Sequence, residues 1–76
     1  MVDRPRVGDI VRHFKGGEYV ILGLPVHTET GEEMVYYKSI KNPTNEWVRP
    51  LKMFMSEVDH DKYPDVKQKY RFEPIK

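Results

Sequence analysis

The chain has 76 residues, no cysteine, and 13 basic against 12 acidic side chains, which give a formal net charge of +1. A domain of this size holds a thin hydrophobic core, and without cysteine no disulfide or cysteinyl metal site can supplement it. The balanced charge disfavours a general nucleic-acid binder, and no apolar run is long enough for a membrane-spanning helix. We therefore expect one small cytoplasmic domain, and because self-association also stabilises thin cores, a monomer and a homo-oligomer both remain open.

The first two predicted strands form a hairpin. Residues 9–14 are rich in β-branched side chains, and residues 18–24 are rich in strand-forming ones. Lys15-Gly16-Gly17 lies between them and offers the positive φ that a tight turn needs. Gly23 and Pro25 interrupt the second run, which predicts a bulge or a sheet edge there.

Two further strands are predicted at residues 33–40 and 46–49, after the turn sequences 28–32 and 42–45. Side chains two apart on a strand share a face. On the third strand this rule groups Met34, Tyr36, Lys38 and Ile40 on one face, and Val35, Tyr37 and Ser39 on the other.

The remainder of the chain is more polar. Pro50 ends the fourth strand and opens one helical turn over residues 51–55. Residues 59–65 predict a loop, residues 64–70 a short helix, and residues 70–75 a closing edge strand that Pro74 ends early. The fold class is therefore mainly β: a small antiparallel SH3-like barrel, or a meander of about five strands, with one short helical turn, in a single domain over 1–76.

The pattern resembles a known family. The residues that carry the resemblance are Arg12-His13-Phe14-Lys15-Gly16, His27-Thr28-Glu29-Thr30, Val35-Tyr36-Tyr37, Trp47-Val48-Arg49-Pro50 and Met53-Phe54. In their order and spacing over residues 10–58, the chain is similar to the small bacterial and phage family catalogued as domain-of-unknown-function family 1653. Residues 59–76 are then a loop and a closing segment. The resemblance implies a small β-rich domain in a cytoplasmic setting, and it implies no activity.

Catalytic and metal-binding patterns are missing from the sequence. His13, His27 and His60 are far apart and show no ligand spacing for zinc. Ser39 and Ser56 have no activating motif around them. We therefore predict no enzyme, no metal site and no cofactor.

Trp47 and Arg49 are the strongest candidates for a ligand-binding site. On a strand they point to the same side, and a large apolar ring beside a fixed cation is a common binding pair. Tyr36 or Tyr37 on the preceding strand is expected to add a second ring. Arg12 and His13 are candidates for anion contact, but adjacent strand residues face opposite ways, so at most one of them shares a face with Trp47. An alternative for Arg49 is an ion pair with Glu46, Glu33 or Glu57 at the rim of the sheet.

Three functions remain open at this point. The first is a non-catalytic binding protein that captures a small anionic ligand, with a nucleotide as the leading candidate. Trp47 would stack on the base, and Arg49 or Arg12 would contact the negative charge. In a phage such a protein could sequester a host signalling nucleotide. The second is an adaptor that binds a protein partner through the Trp47 patch or a sheet edge. The third and weakest is nucleic-acid binding, which would depend steeply on salt.

Overall fold

Residues 4–75 are described by a computed structural model of the chain. Five strands, β1 to β5, and one short helix, α1, follow in the order β1 (Ile10–His13), β2 (Glu18–Gly23), β3 (Met34–Ser39), β4 (Glu46–Pro50), α1 (Leu51–Phe54) and β5 (Phe72–Pro74). The strands form one antiparallel sheet in the order β4-β3-β2-β1-β5. The predicted mainly β fold is confirmed, as an open sheet in which β1 to β4 are a meander and β5 returns beside β1.

The predicted turns between the first three strands are present. Gly16 has a φ of +104° between β1 and β2, and its N–H donates to the His13 carbonyl at 2.8 Å. Gly31 has a φ of +73° in the turn before β3. A side chain at either position would be strained, because a positive φ brings its Cβ close to the backbone carbonyl. The predicted bulge in β2 is also confirmed, between Ile21 and Gly23.

The core lies on one face of the sheet. Along β3, Val35, Tyr37 and Ser39 are buried while the residues between them are not, as the alternation predicts. Val11 of β1 and Ile21 of β2 share that buried face.

The helix α1 and the strand β5 complete this core. Pro50 begins the helical turn, which turns Leu51 and Phe54 inward so that both are buried. Phe54 stacks on Phe72 of β5, with ring centroids 4.1 Å apart and an interplanar angle of 5°. The stacked rings of α1 and β5 therefore form part of the cover over this face of the sheet.

The predicted helix over residues 64–70 is wrong. Described residues 55–71 form turns and pair with one another instead, with Val58 N–H donating to the Lys69 carbonyl and Arg71 N–H donating to the Ser56 carbonyl, both at 2.9 Å. The Glu73 carboxylate accepts the N–H groups of Lys69 and Tyr70 at 3.1 Å. Val58 and Glu73, the partners of Lys69 and Tyr70, lie outside residues 64–70, so these backbone groups are satisfied without a helical ladder. The segment folds back along the sheet and delivers β5 to β1.

Across residues 4–75, no helix has the length and apolar character needed to cross a membrane.

Candidate ligand-binding site

Trp47 and Arg49 lie on β4, which is an edge strand of the sheet, and both point toward the core face. Their directly opposite neighbours on β3 are Tyr37 and Val35. Val35 and Tyr37 are buried, whereas Trp47 keeps 42% of its surface exposed. The predicted shared face of Trp47 and Arg49 is confirmed, and the tryptophan is a partly open wall at the edge of the core.

Four aromatic rings meet at this place. Tyr19 of β2 contacts Tyr37 edge-on with centroids 5.4 Å apart, and Trp47 at 5.6 Å. Tyr37 lies 6.0 Å from Trp47 in a tilted arrangement and 5.5 Å from Phe72. Edge-to-face contacts of this length are favourable, and each ring fixes the orientation of the next. The four rings therefore form one contiguous aromatic cluster.

A cavity of about 280 Å³ opens over these rings, lined by His13, Tyr19, Tyr37, Trp47, Arg49 and Phe72. Its wall is mostly aromatic, and Arg49 is its one permanent charge. Small-molecule sites are typically apolar clefts in which a few polar groups fix the orientation of the ligand. Here five aromatic rings and one fixed charge line an open cavity.

Arg49 has no carboxylate partner among the described residues. The ion pairs there are Arg4–Glu33 and Arg12–Glu18, so the alternative pairing of Arg49 with a glutamate of the rim is not observed. The guanidinium carbon instead lies 5.5 Å from the centre of the Phe72 ring. Burial raises the pKa of the Tyr37 phenol, and the nearby Arg49 charge opposes that rise. The guanidinium therefore lies over the Phe72 ring and interacts with the Tyr37 hydroxyl, and its other N–H groups retain hydrogen-bonding capacity.

His13 lies in the cavity as a neutral ring. Its Nδ1 accepts the Lys15 backbone N–H at 3.1 Å, which assigns the proton of the neutral imidazole to Nε2. Burial, followed by the charges of Arg49, Arg71 and Lys15, lowers the pKa of His13 to about 4. At neutral pH the His13 ring is therefore uncharged and can donate a hydrogen bond through Nε2–H. The cations near it are Arg49, Arg71 and Lys15.

This pKa predicts how stability depends on pH. The unfolded chain binds a proton at His13 near pH 6.5 and the folded chain only near pH 4, so the free energy of unfolding falls as the pH drops through this window. We expect the free energy of unfolding of His13→Gln to decrease by about 1 kcal/mol less than that of the parent protein over this pH window. This value allows for solvent screening of a partly exposed ring.

Urea unfolding of both proteins at pH 7 and pH 4.5 measures the difference. His27→Gln removes an imidazole from the exposed turn before β3 and is the control. An equal change in both variants would show that the cavity has no specific effect on His13.

Two predicted site residues do not belong to this cavity. Arg12 and Tyr36 lie on the opposite face of the sheet, because each is one position away from a core-facing residue. Arg12 pairs with Glu18 across the hairpin at 3.1 Å, and the Tyr36 hydroxyl donates to the Glu46 carboxylate. Of the six candidates, the structure brings together Trp47, Arg49, His13 and Tyr37.

Tyr19 and Phe72 are members of the site that the sequence analysis missed. The opposite positions on β1 and β2 are Val11 and Tyr19, and this register places Tyr19 on the core face. Strand alternation from Ile21 could have indicated it. Phe72 arrives through the pairing of β5 with β1 opposite His13. No local signal reports that long-range pairing.

Gly17 is packed against one wall of the cavity. An added Cβ would lie 2.7 Å from the Tyr19 hydroxyl oxygen and 3.0 Å from its ring. Gly17→Ala is therefore expected to push the Tyr19 ring toward Trp47 and to lower the free energy of unfolding by about 1–3 kcal/mol. The Trp47 fluorescence spectrum of the folded variant should shift. The double variant Gly17→Ala, Tyr19→Phe lacks the Tyr19 hydroxyl oxygen, which is the atom nearest to the added Cβ. If it is no more stable than Gly17→Ala alone, this explanation is wrong.

The described part of the chain contains no group of three or more histidine, aspartate or glutamate side chains placed to hold a metal ion.

A protein-family model described as a protein of unknown function, DUF1653, matches residues 9–74. No curated protein and no solved structure matches the chain. The family match includes residues 59–70 and β5, so it extends beyond the 10–58 core from which the resemblance was drawn. The chain belongs to the DUF1653 family.

Proposed function

We propose that this member of the DUF1653 family is a non-catalytic binding protein that captures a small anionic ligand carrying a flat ring, a nucleotide before others. One observation carries the proposal: Arg49, free of any carboxylate partner among residues 4–75, shares a concave aromatic cavity with the half-exposed Trp47. An unpaired guanidinium beside an open aromatic wall is complementary to a ligand that has a negative charge and a π face.

The aromatic wall supports stacking of a base. Trp47 is exposed, and its ring contacts the rings of Tyr19 and Tyr37. A ring held in this way loses little conformational entropy on binding. Stacking of one base on an aromatic side chain contributes about 1–3 kcal/mol.

The polar groups support recognition of an anion. The Arg49 guanidinium can bind phosphate or carboxylate oxygens through two parallel N–H donors. Neutral His13 adds its Nε2–H as a further donor. The cavity of about 280 Å³ is slightly smaller than the usual ligand site of about 300–1,000 Å³, which suits one ring with its nearest polar groups. Capture without turnover would suit a role in sequestering a signalling nucleotide.

A thermal-shift panel tests this function. Purified protein is melted with mono-, di- and cyclic nucleotides, with the free bases, and with a short single-stranded oligonucleotide, while light scattering reports the molar mass. A ligand that binds the folded state raises the melting temperature in a saturable way. We expect at least one nucleotide to do so at low millimolar concentration or below. A flat response to the whole panel would contradict the proposal.

The outer face of β4 supports a second candidate, an adaptor that binds a protein. Val48 is 55% exposed on this edge strand, and an unpaired strand edge can accept a strand from another chain. For this candidate Val48→Lys abolishes partner capture, whereas Trp47→Ala, on the other face, leaves it unchanged. The reverse pattern, with capture lost in Trp47→Ala and retained in Val48→Lys, would place the protein partner on the Trp47 patch instead of the outer face.

A further inference from the structure

We infer that the site has a second compartment that binds phosphate groups, and that its preferred ligand is a nucleotide with at least two phosphates. This inference rests on the proposed function and assigns the charged part of the ligand to a place of its own. A second cavity of about 360 Å³ adjoins the aromatic one, and His13 and Arg49 line both. A ligand that places its ring over Trp47 can therefore pass its charged end between these two side chains.

The second cavity concentrates positive charge. Lys15, Arg49, Lys62 and Arg71 line it, and Asp59 is its one carboxylate, which leaves three positive charges unbalanced. The whole chain has a net charge of only +1, so the excess is local. Within residues 4–75 none of these four cations forms an ion pair.

Asp59 is already engaged by the backbone. One of its carboxylate oxygens, Oδ1, accepts the N–H groups of Asp61 and Lys62 at 3.1 and 3.3 Å. It therefore fixes the turn of the loop, and among residues 4–75 it forms no ion pair with a lysine or arginine. The positive field of the cavity remains available to an outside anion.

Two lysines from different parts of the chain meet at one ring. The Nζ atoms of Lys15 and Lys62 lie 5.4 and 5.5 Å from the centre of Tyr63. Lys15 belongs to the β1–β2 turn, and Tyr63 packs on Phe14 of the same turn at 5.1 Å. Cation–π contact holds both ammonium groups near this ring, and an anion in the cavity would offset their positive charge.

Ser56 orients the Arg71 side chain, which also lines the second cavity. Its Nε–H donates to the Ser56 hydroxyl at 3.2 Å, and its backbone N–H donates to the Ser56 carbonyl at 2.9 Å. The remaining guanidinium N–H groups stay available for a phosphate. The low pKa of His13 is consistent with this picture, because the charges of Arg49, Arg71 and Lys15 all act on its ring.

The size of the charge indicates the class of ligand. One phosphate monoester carries about −1.5 to −2 at pH 7, which is less than the three unbalanced positive charges. With a second phosphate, the negative charge of the ligand is close to the three unbalanced positive charges of the second cavity. A nucleoside without phosphate would leave the second cavity empty.

Calorimetric titration with adenosine, AMP and ADP, and with the guanosine series, tests the inference. We expect affinity to rise about tenfold or more from nucleoside to diphosphate, since charge-assisted hydrogen bonds contribute roughly 1.5–3 kcal/mol each. Lys62→Gln and Lys15→Gln should each weaken binding of the nucleoside diphosphate by about five- to tenfold. Neither should change the affinity for the nucleoside. Lys52→Gln, an exposed lysine of α1 outside both cavities, is the control and should change neither.

The outcomes separate the two proposals. Equal affinity for nucleoside and diphosphate, or variants that weaken both to the same extent, would overturn the phosphate compartment and leave the ring site standing. No binding by any member of either series would overturn both. Because Lys15 and Lys62 are exposed, unchanged melting temperatures of the free variants will show that they fold.

Discussion

Phe72→Ala is expected to lower the free energy of unfolding by about 3–5 kcal/mol and to leave much of the chain unfolded at 25 °C. Phe72 is 1% exposed and stacks on Phe54, and its ring also contacts Tyr37 and His13. It is the main apolar side chain of a three-residue strand at the sheet edge. Its loss removes the ring that joins β5 to the rest of the core.

Urea unfolding followed by Trp47 fluorescence measures this effect, because Trp47 is the chain's one tryptophan and lies beside the core. Met53→Ala is the matched control: it also truncates a large apolar side chain, but one on α1 that is 49% exposed. We expect that variant to stay within about 0.5 kcal/mol of the parent protein. A loss of less than 1 kcal/mol for Phe72→Ala would mean that the stacked pair does not hold the core together.

The second large effect is on binding. Arg49→Gln is expected to weaken the affinity for the nucleotide identified by thermal shift about 100-fold, because it removes a charge-assisted, bidentate contact within a partly desolvated cavity. Arg49→Lys keeps the charge and loses the planar fork, so we expect an intermediate loss. Arg49 makes no ion pair with another described residue but does contact Phe72 and Tyr37, so urea unfolding of both variants will show whether they fold.

Arg12→Gln is the matched control for this prediction. Arg12 is also a strand arginine, but it lies on the opposite face of the sheet and pairs with Glu18. Its replacement should leave the affinity within about twofold of the parent, because exposed ion pairs contribute little. Equal losses in the Arg12 and Arg49 variants would show that binding follows net charge rather than the cavity.

Local patterns were sufficient to predict the meander. Alternation along residues 34–39 identified the buried face of β3, and the pairs Gly16-Gly17 and Asn42-Pro43 marked the two tight hairpins. The shared face of Trp47 and Arg49 was predicted in the same way, because side chains two residues apart on a strand point to the same face. These features depend on neighbours in sequence, so the sequence contains them directly.

Long-range pairing explains what was missed. The segment before β5 has helix-compatible residues, but Glu73 and Ser56 accept its N–H groups and override that preference. Phe72, Lys62 and Arg71 enter the two cavities only because this segment folds back against β1. Arg12 was retained as a candidate because the sequence does not say which of two adjacent residues faces the core.

A nuclear magnetic resonance titration with ADP, monitored through ¹H–¹⁵N correlations, tests the binding site most directly. The indole N–H of Trp47 gives one isolated signal, and the backbone amides of His13 and Arg49 report on the junction of the two cavities. We predict saturable shifts of these three signals, and of the Lys62 amide, at one ligand per chain. The amides of Val26 and Tyr36 should stay in place. Shifts that centre on the outer face around Tyr36 and Val48, or spectra that ADP leaves unchanged, would contradict the proposed site.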